Sequence, residues 1–418
     1  MIRLPEPGPR RDLWIAVLFF LIAAACRFPR LSDPPEEIFD EVYHAKAALS
    51  YLRGEMPVEW VHPPTAKVLI SFAVWLLGYD SFAWRLAPAI AGSLLAPVFF
   101  LLARRVLPSE RAAAIATALL LVDGVYLVQS RTAMTNIFAV LFQVTAAYAL
   151  VRTVLAERLR LPWMLALGLA LGLALSTRWT SLWALGFLGL VLVAARWRRP
   201  IGWRDPPLVA MAFVVMPALV YMASYWLYPV MRPTSLEHLW NTQKAMWEYH
   251  STLNATHAYF SPWYTWPWLV RPTWYYYKQQ ADTVFGIVAL GNPALWWASV
   301  PATLAALVTG IRERDPRRLF AALGFMCLYV PWGLSPRKLN FSHYLFEALP
   351  YACLSLGYFL DRALDDRRWR QWAWAYLGVC LGLFLFFFPI LTGCPIPVWL
   401  FQSELFGRMP WLWFKSWI

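Results

Sequence analysis

The 418-residue chain is predicted to be an all-α polytopic membrane protein, on three observations. Hydrophobic residues make up 60% of it and charged residues only 15%, whereas a soluble domain carries about a quarter charged residues. Apolar runs of about 17–25 residues recur along the whole length, as spanning helices require. Lys and Arg gather in alternate connections between those runs, the habit of cytoplasmic loops. The net charge of +13 follows from that placement and calls for no nucleic-acid partner.

Eleven spans are predicted, at about 13–26, 84–106, 112–129, 137–153, 163–178, 180–195, 207–228, 283–310, 319–334, 343–360 and 371–390. The first follows Arg10 and Arg11 and lacks a small-residue cleavage site, so it reads as a retained helix rather than a signal peptide. The connections at 1–12, 104–111, 152–161, 195–204, 311–318 and 361–370 hold 21 of the 37 Lys and Arg. The positive-inside rule places them in the cytoplasm, with the N-terminus inside and the C-terminus outside. Three regions result: a transmembrane module at 1–228 whose first outer loop is 27–83, a long outer loop at 229–282, and a four-helix module with an outer tail at 283–418. The five cysteines show no paired spacing, and most sit in apolar runs as small buried hydrophobes.

All six histidines (His44, His62, His238, His250, His257 and His343) fall on the predicted outer side. Long loops hold more polar residues in any case, but such an excess also marks a wet, reactive face. Within the first outer loop, apolar Val42, Ala45, Leu49 and Leu52 recur at helical spacing, which predicts an interfacial amphipathic helix over 40–53. The run "PTAKVLISFAVWLLG" (64–78) is short for a span and predicts an interfacial or re-entrant helix. In the second loop, "YFSPWYTWPWLVRPTWYYY" (259–277) is dense in Trp and Tyr, which favour the headgroup level. His257 and Trp266 there are candidates for holding a lipid-linked substrate.

The reactive candidates follow. "FDEVYHAKAA" (39–48) sets Asp40 beside Glu41. Neighbouring helical residues point about 100° apart, so the two carboxylates cannot share one task. An acid at a helix start also favours the macrodipole without any chemistry. "VHPPTAK" (61–67) brings His62 and Lys67 to the entry of the next helix. Arg131 ends the third span, and Arg337 sits in "SPRKLNFSHYLFEALP" (335–350) close to His343. Basic side chains at the outer mouth suit a lipid phosphate, Arg bidentately; snorkelling or headgroup contact is the alternative for each.

Together these motifs resemble the protein O-mannosyltransferase family of GT-C glycosyltransferases. "FDEVYHA" is similar to its acidic motif, "VHPPTAK" to its His-Pro-Pro-x-x-Lys motif, and "DGVYLVQSR" (123–131) to its third-span signature. "EYHSTLNATHAYFSPWYTWPWLVRPTWYYY" (248–277), "GNPALWW" (291–297) and "SPRKLNFSHYLFEALP" resemble its later half, in order. Asn136 stands near a place where the family often has Asp, and the second loop is too short for the soluble β-trefoil domain of eukaryotic members.

The resemblance implies a GT-C architecture with about eleven transmembrane helices and interfacial helices in the first outer loop. It implies inverting transfer of a sugar, mannose, from a polyprenyl-phosphate carrier to Ser or Thr hydroxyls of exported proteins, at the outer face of the cytoplasmic membrane. Asp40 becomes the base, with Glu41 orienting the acceptor or holding the loop. Arg131 first, then Arg337 and Lys67, become the donor phosphate ligands. His62 and His343 touch phosphate or sugar, or hold structure. No cofactor is implied beyond the lipid-linked sugar phosphate, and no metal ligand set is evident. The alternatives are a lipid-phosphate-dependent GT-C enzyme transferring another sugar to a glycolipid or cell-wall acceptor, and a secondary transporter. The transporter reading is disfavoured because the polar residues cluster outside rather than at mid-bilayer and no internal repeat is visible.

Overall fold

A computed structural model describes residues 9–156, 158–197, 202–203, 205–227, 232–404 and 407–418. Helix α1 (Pro9–Arg27) leads into a long connection carrying α2 (Glu41–Arg53) and α3 (Thr65–Leu77). Then come α4 (Ser81–Val106), α5 (Glu110–Leu121), α6 (Gly124–Gln129), α7 (Asn136–Val154), α8 (Leu161–Leu175) and α9 (Ser181–Arg196). Helices α10 (Asp205–Ala210) and α11 (Met216–Trp226) flank a π-helical segment, Met211–Val215. After α12 (Leu236–Thr252) and strands β1 (Thr273–Gln280) and β2 (Thr283–Ala289) follow α13 (Pro293–Arg312), α14 (Pro316–Tyr329), α15 (Leu349–Asp365) and α16 (Arg370–Thr392). The chain closes with β3 (Ile396–Pro397) and α17 (Val398–Phe401) before its tail.

Helix α4 packs on α1, α3, α5 and α7; α7 packs on α8, and α15 on α5, α13 and α14. Alanine and glycine let these helices approach: Ala89, Ala96, Ala103, Ala139 and Ala146 are fully buried. Among the described residues, five helices are long and apolar enough to cross a membrane: Ser81–Val106, Asn136–Val154, Asp205–Trp226, Pro293–Arg312 and Arg370–Thr392. Helix α3 turns Phe72, Trp75 and Leu76 outward, each more than 60% exposed.

The structure corrects several expectations. The molecule is mostly helical but not all-α, because β1, β2 and β3 form an antiparallel sheet. The first quarter of the expected span 283–310 is strand β2. Its "TVFGIVA" run is β-branched and aromatic, and it pairs with the aromatic β1. Helix α13 begins only at Pro293, whose fixed φ suits a first helical position. The expected span 112–129 is broken at Asp123, whose carboxylate accepts from the backbone N–H of Tyr126 at 2.8 Å and of Asn292 at 3.0 Å, and from Trp296 Nε1 at 2.7 Å. The signature "DGVYLVQSR" is thereby bolted to "GNPALWW". Pro331 and Pro350 move two other boundaries: α14 gives way to a 3-10 turn at Val330, and α15 starts at Leu349 after a 3-10 turn, Ser342–Glu347. The second long loop also holds a helix that was not expected, α12, capped by Ser235.

The tail fastens the sheet. Trp274 Nε1 donates to the carbonyl of Trp417 at 2.6 Å, and Trp417 Nε1 donates to that of Leu269 at 2.6 Å.

Candidate active site

The connection before α2 is wound around one buried cation. Arg85, on the first turns of α4, donates to the carbonyls of Leu31, Pro34 and Glu36, and grips Glu41 through Nε–Oε1 at 2.8 Å and Nη2–Oε2 at 2.7 Å. Glu41 is fully buried and also accepts from the backbone N–H of Ile38 at 3.1 Å and Ala133 at 2.9 Å. It therefore holds the loop and faces no open space.

Fixing Glu41 fixes its neighbour. Asp40 stands at the N-terminus of α2, and its side chain makes no capping bond. No hydrogen bond or ion pair engages that carboxylate among the described residues. Phe39 before it is in the left-handed region, with φ of 48°, a costly conformation for a bulky residue. Its ring stacks on Tyr275 at 4.2 Å and 10°. Asp40 keeps part of its surface accessible, yet protein atoms crowd it. Burial pushes its carboxyl above the ordinary range, against His44, Arg337 and Arg178, which favour the charged form.

His44 acts directly on this carboxylate, and three further imidazoles lie nearby in the same network of contacts. His44 Nδ1 meets the carbonyl of Ala133 at 2.8 Å. His62 Nδ1 meets Glu59 Oε1 at 2.8 Å, and its ring lies 6.4 Å from His44 and 5.1 Å from His250. His250 Nε2 meets the carbonyl of Val61 at 2.8 Å while its Nδ1 accepts from Arg337 Nη1 at 3.0 Å. Burial, with Arg337 adding to it at His250, holds His62 down to about 3 and His250 to about 4, so both are neutral at pH 7. His343 is buried against Phe341, Phe39 and Tyr275 with Nδ1 unpartnered.

Lys67 does not reach this space. It is buried, and its Nζ donates to Glu59 Oε2 at 2.5 Å and to the carbonyls of His62 at 2.8 Å and Glu59 at 3.2 Å. Burial alone would raise the Glu59 carboxyl, but Lys67 and His62 more than offset it and hold it well below its usual range. His44, Glu59 and His62 bring ligand-type atoms within 4.8 Å of one another, a cluster not foreseen from the sequence. Its carboxylate is already engaged by Lys67 and His62.

Two arginines flank Asp40. Arg337 donates through Nε to the carbonyl of Leu339 at 2.9 Å and through Nη1 to His250. Arg178, just past α8, lies 3.6 Å from Glu347 through Nε, sits 5.0 Å over the Tyr344 ring, and donates through Nη1 to Asn136 Oδ1. Each leaves Nη2 unengaged among the described residues. Arg178 was not among the expected residues, although "STRWT" after an apolar run carries the same helix-mouth signal that singled out Arg131. Asn136 on α7 is a neutral partner for Arg178, which already faces the Glu347 carboxylate.

Arg131 lies elsewhere. Its guanidinium donates to the carbonyls of Arg27, Pro29 and Arg30 at 2.5, 2.8 and 3.0 Å. Burial, reinforced by Arg85, lowers its pKa to about 10. The first-choice phosphate ligand is thus a clamp on the chain leaving α1. Trp266 is also displaced from the site. It is fully buried, donates to the carbonyl of Ser261 at 3.0 Å and packs on Tyr329, Trp332 and Tyr344, so it cannot touch a substrate. His257 is exposed, its ring 6.1 Å from Phe39 and 5.1 Å from Phe341. His343 and His257 therefore meet at Phe39, the residue before Asp40, while Arg337 and His62 are linked through His250; Glu41 and Lys67 serve as supports.

The family described as dolichyl-phosphate-mannose-protein mannosyltransferase matches residues 17–84 and 79–228, and the C-terminal four-transmembrane region of protein-O-mannosyltransferase matches residues 235–417. The chain belongs to the protein O-mannosyltransferase family. It is 28% identical to the polyprenol-phosphate-mannose–protein mannosyltransferase of Mycolicibacterium smegmatis, over 99% of this chain and 95% of that one. The Mycobacterium tuberculosis protein of the same name is 26% identical, over 100% and 94%. The fold matches the Saccharomyces cerevisiae protein O-mannosyltransferase Pmt1-Pmt2 complex bound to the sugar donor, with a TM-score of 0.85 at 15% identity over 99% of this chain and 94% of that chain. ArnT from Cupriavidus metallidurans bound to undecaprenyl phosphate matches with a TM-score of 0.60 at 16% identity, over 91% and 76%. This O-mannosyltransferase is a GT-C membrane enzyme of the protein mannosyltransferase class.

Proposed function

We propose that the enzyme transfers mannose from a polyprenyl-phosphate carrier to Ser or Thr hydroxyls of exported proteins, with inversion, at the outer face of the cell membrane. The observation that carries this reading is Asp40: a desolvated carboxylate without a hydrogen-bond partner among the described residues, flanked by Arg178 and Arg337. A hydroxyl is a poor nucleophile at neutral pH and needs a base within about 3 Å. Asp40 takes the hydroxyl proton as the oxygen bonds to the anomeric carbon. The bond from that carbon to the phosphate oxygen breaks, and its electron pair leaves with the lipid phosphate. Attack opposite the leaving group inverts the centre. Arg178 and Arg337 present their unengaged Nη2 groups to the phosphate as its charge grows. Half-buried His62 lines the sugar side, and buried His343 holds Phe39 and Tyr275 from behind.

Eleven spans, formed by α1, α4, α5 with α6, α7, α8, α9, α10 with α11, α13, α14, α15 and α16, cross the membrane, with α2 and α3 lying at the outer interface. The 21 basic residues of the alternate connections support a cytoplasmic N-terminus. The mycobacterial relatives' names support a polyprenol-phosphate-mannose donor and a protein acceptor.

The test is reconstitution of the purified enzyme with polyprenyl-phosphate-mannose and a Thr-containing peptide, followed by mass spectrometry and NMR of the product. An α-mannoside formed from a β-linked donor supports the reading; hexose on lipid but never on peptide would reject the acceptor assignment.

A further inference from the structure

The sheet order is β1-β2-β3, so β1 is a terminal strand and its outer edge carries no strand among the described residues. Tyr277, Lys278, Gln279 and Gln280 on it are exposed. No described group outside the sheet hydrogen-bonds the backbone of 276–280. An unpaired edge is a template for an extended chain, and lysine is a common guard against that. Here the guard is drawn aside, because Lys278 Nζ lies 3.4 Å from Glu36 Oε1, which also accepts from Tyr276 Oη at 2.7 Å. Tyr277 leans the other way, onto Trp274 and Phe401 at ring distances of 5.8 and 6.1 Å. Among the described residues, nothing outside the sheet hydrogen-bonds the backbone of the edge between them.

That edge begins at the reactive carboxylate. The ladder slips between Trp274 and Tyr276, and bulges beside active sites serve to re-aim a side chain. Tyr275, at the slip, stacks on Phe39, the residue before Asp40, and its hydroxyl accepts from Gln129 Nε2 at 2.7 Å. Residues 276–280 then lead away for about 17 Å, at about 3.3 Å per residue.

We infer that the acceptor polypeptide docks as an added strand along the free edge of β1, presenting a Ser or Thr hydroxyl to Asp40 at the Tyr275 end. This rests on the protein acceptor of the proposed function and names how that acceptor is held. Strand addition reads the backbone, and side chains alternate between two faces. A hydroxyl in register faces Asp40, and its immediate neighbours face away. Acceptor choice is then set by extended conformation and register rather than by a fixed side-chain motif.

The experiment uses the purified full-length enzyme, polyprenyl-phosphate-mannose and short peptides with a single Thr, methylated at one backbone nitrogen at a time. Alternate positions are expected to raise the peptide KM about 5- to 10-fold, the effect of one lost hydrogen bond, while the positions between have little effect and the donor KM stays constant. A scan that is flat, or that is impaired only next to the Thr, overturns the docking and leaves the transferase reading standing. Absence of transfer to every unmethylated peptide overturns that reading itself. If Gln279→Cys edges of two copies cross-link, and unmethylated acceptor does not compete, the edge belongs to a second copy and the proposal falls.

Discussion

Asp40 and Glu41 are adjacent in the chain and opposite in role, and burial separates them. Glu41 has four bonds to Arg85, Ile38 and Ala133; Asp40 has none of this kind. Asp40→Asn is expected to lower transfer by about 10²- to 10⁴-fold, the contribution of a general base. Its effect on stability runs the other way. Burial raises the folded-state pKa of Asp40, so folding favours the protonated form, and stability falls as pH rises through that pKa. At neutral pH the asparagine variant should therefore melt at the same temperature or higher, which calorimetry in detergent checks. Arg178→Ala and Arg337→Ala should each raise the donor KM more than the peptide KM. Arg131→Lys should leave the donor KM unchanged, because its three bonds go to carbonyls of the chain leaving α1. A raised donor KM in Arg131→Lys would return the phosphate role to that residue. Asp40, Arg337, His62 and His343 stand out as candidates because each sits in a short motif of unusual composition. Arg85 does not, because its partner Glu41 lies 44 positions away in sequence; Arg178 carries only the helix-mouth signal of "STRWT", and its partner Asn136 lies 42 positions away. Trp266 misled because an aromatic-dense run reads the same whether its rings line a membrane interface or fill a core.

At the scale of elements, the first long connection works as one piece around the Glu41–Arg85 pair, both side chains at most 1% exposed. Removing one partner of a buried pair leaves the other charge uncompensated and costs about 3–5 kcal/mol. Glu41→Ala should lose about that much stability, and the double variant with Arg85→Met should recover a good part of it in thermal unfolding. Equal destabilisation by the single and double variants would mean that the carbonyl contacts of Arg85, not its charge pairing, hold the connection. Helix positions were readable from apolar periodicity, and α2 and α3 fall where the spacing placed them. The hairpin was not readable, because "VFGIVAL" and the apolar face of α13 fuse into one hydrophobic stretch. The break lay in "GNP": Asn292 turns its N–H to Asp123, and a Cβ on Gly291 would overlap the Trp296 ring.

For the whole molecule, reactive residues and basic connections must lie on opposite sides of one bilayer if the proposed chemistry is to meet exported acceptors. The acid sensitivity of the fold reports on the first group. His62 and His250 are held to about 3 and about 4 in the folded state, against about 6.5 unfolded. Unfolded chains bind the extra protons first, so stability present above about pH 6.5 is lost as pH falls toward 4. Replacing His250 by Gln should flatten that slope. Sidedness is tested directly by single cysteines at exposed positions, in a background with the five native cysteines replaced by alanine. Thr252 ends α12 close to the imidazole cluster, and Gln279 lies on the free edge of β1; Arg314 and Arg368 lie in two basic connections. A membrane-impermeant maleimide added to intact cells should label Thr252→Cys and Gln279→Cys at once. Arg314→Cys and Arg368→Cys should react only after the membrane is opened. The reverse pattern would place Asp40, Arg178 and Arg337 in the cytoplasm, where exported proteins do not reside after translocation. It would remove the exported acceptor while leaving the bond-forming chemistry at Asp40 intact.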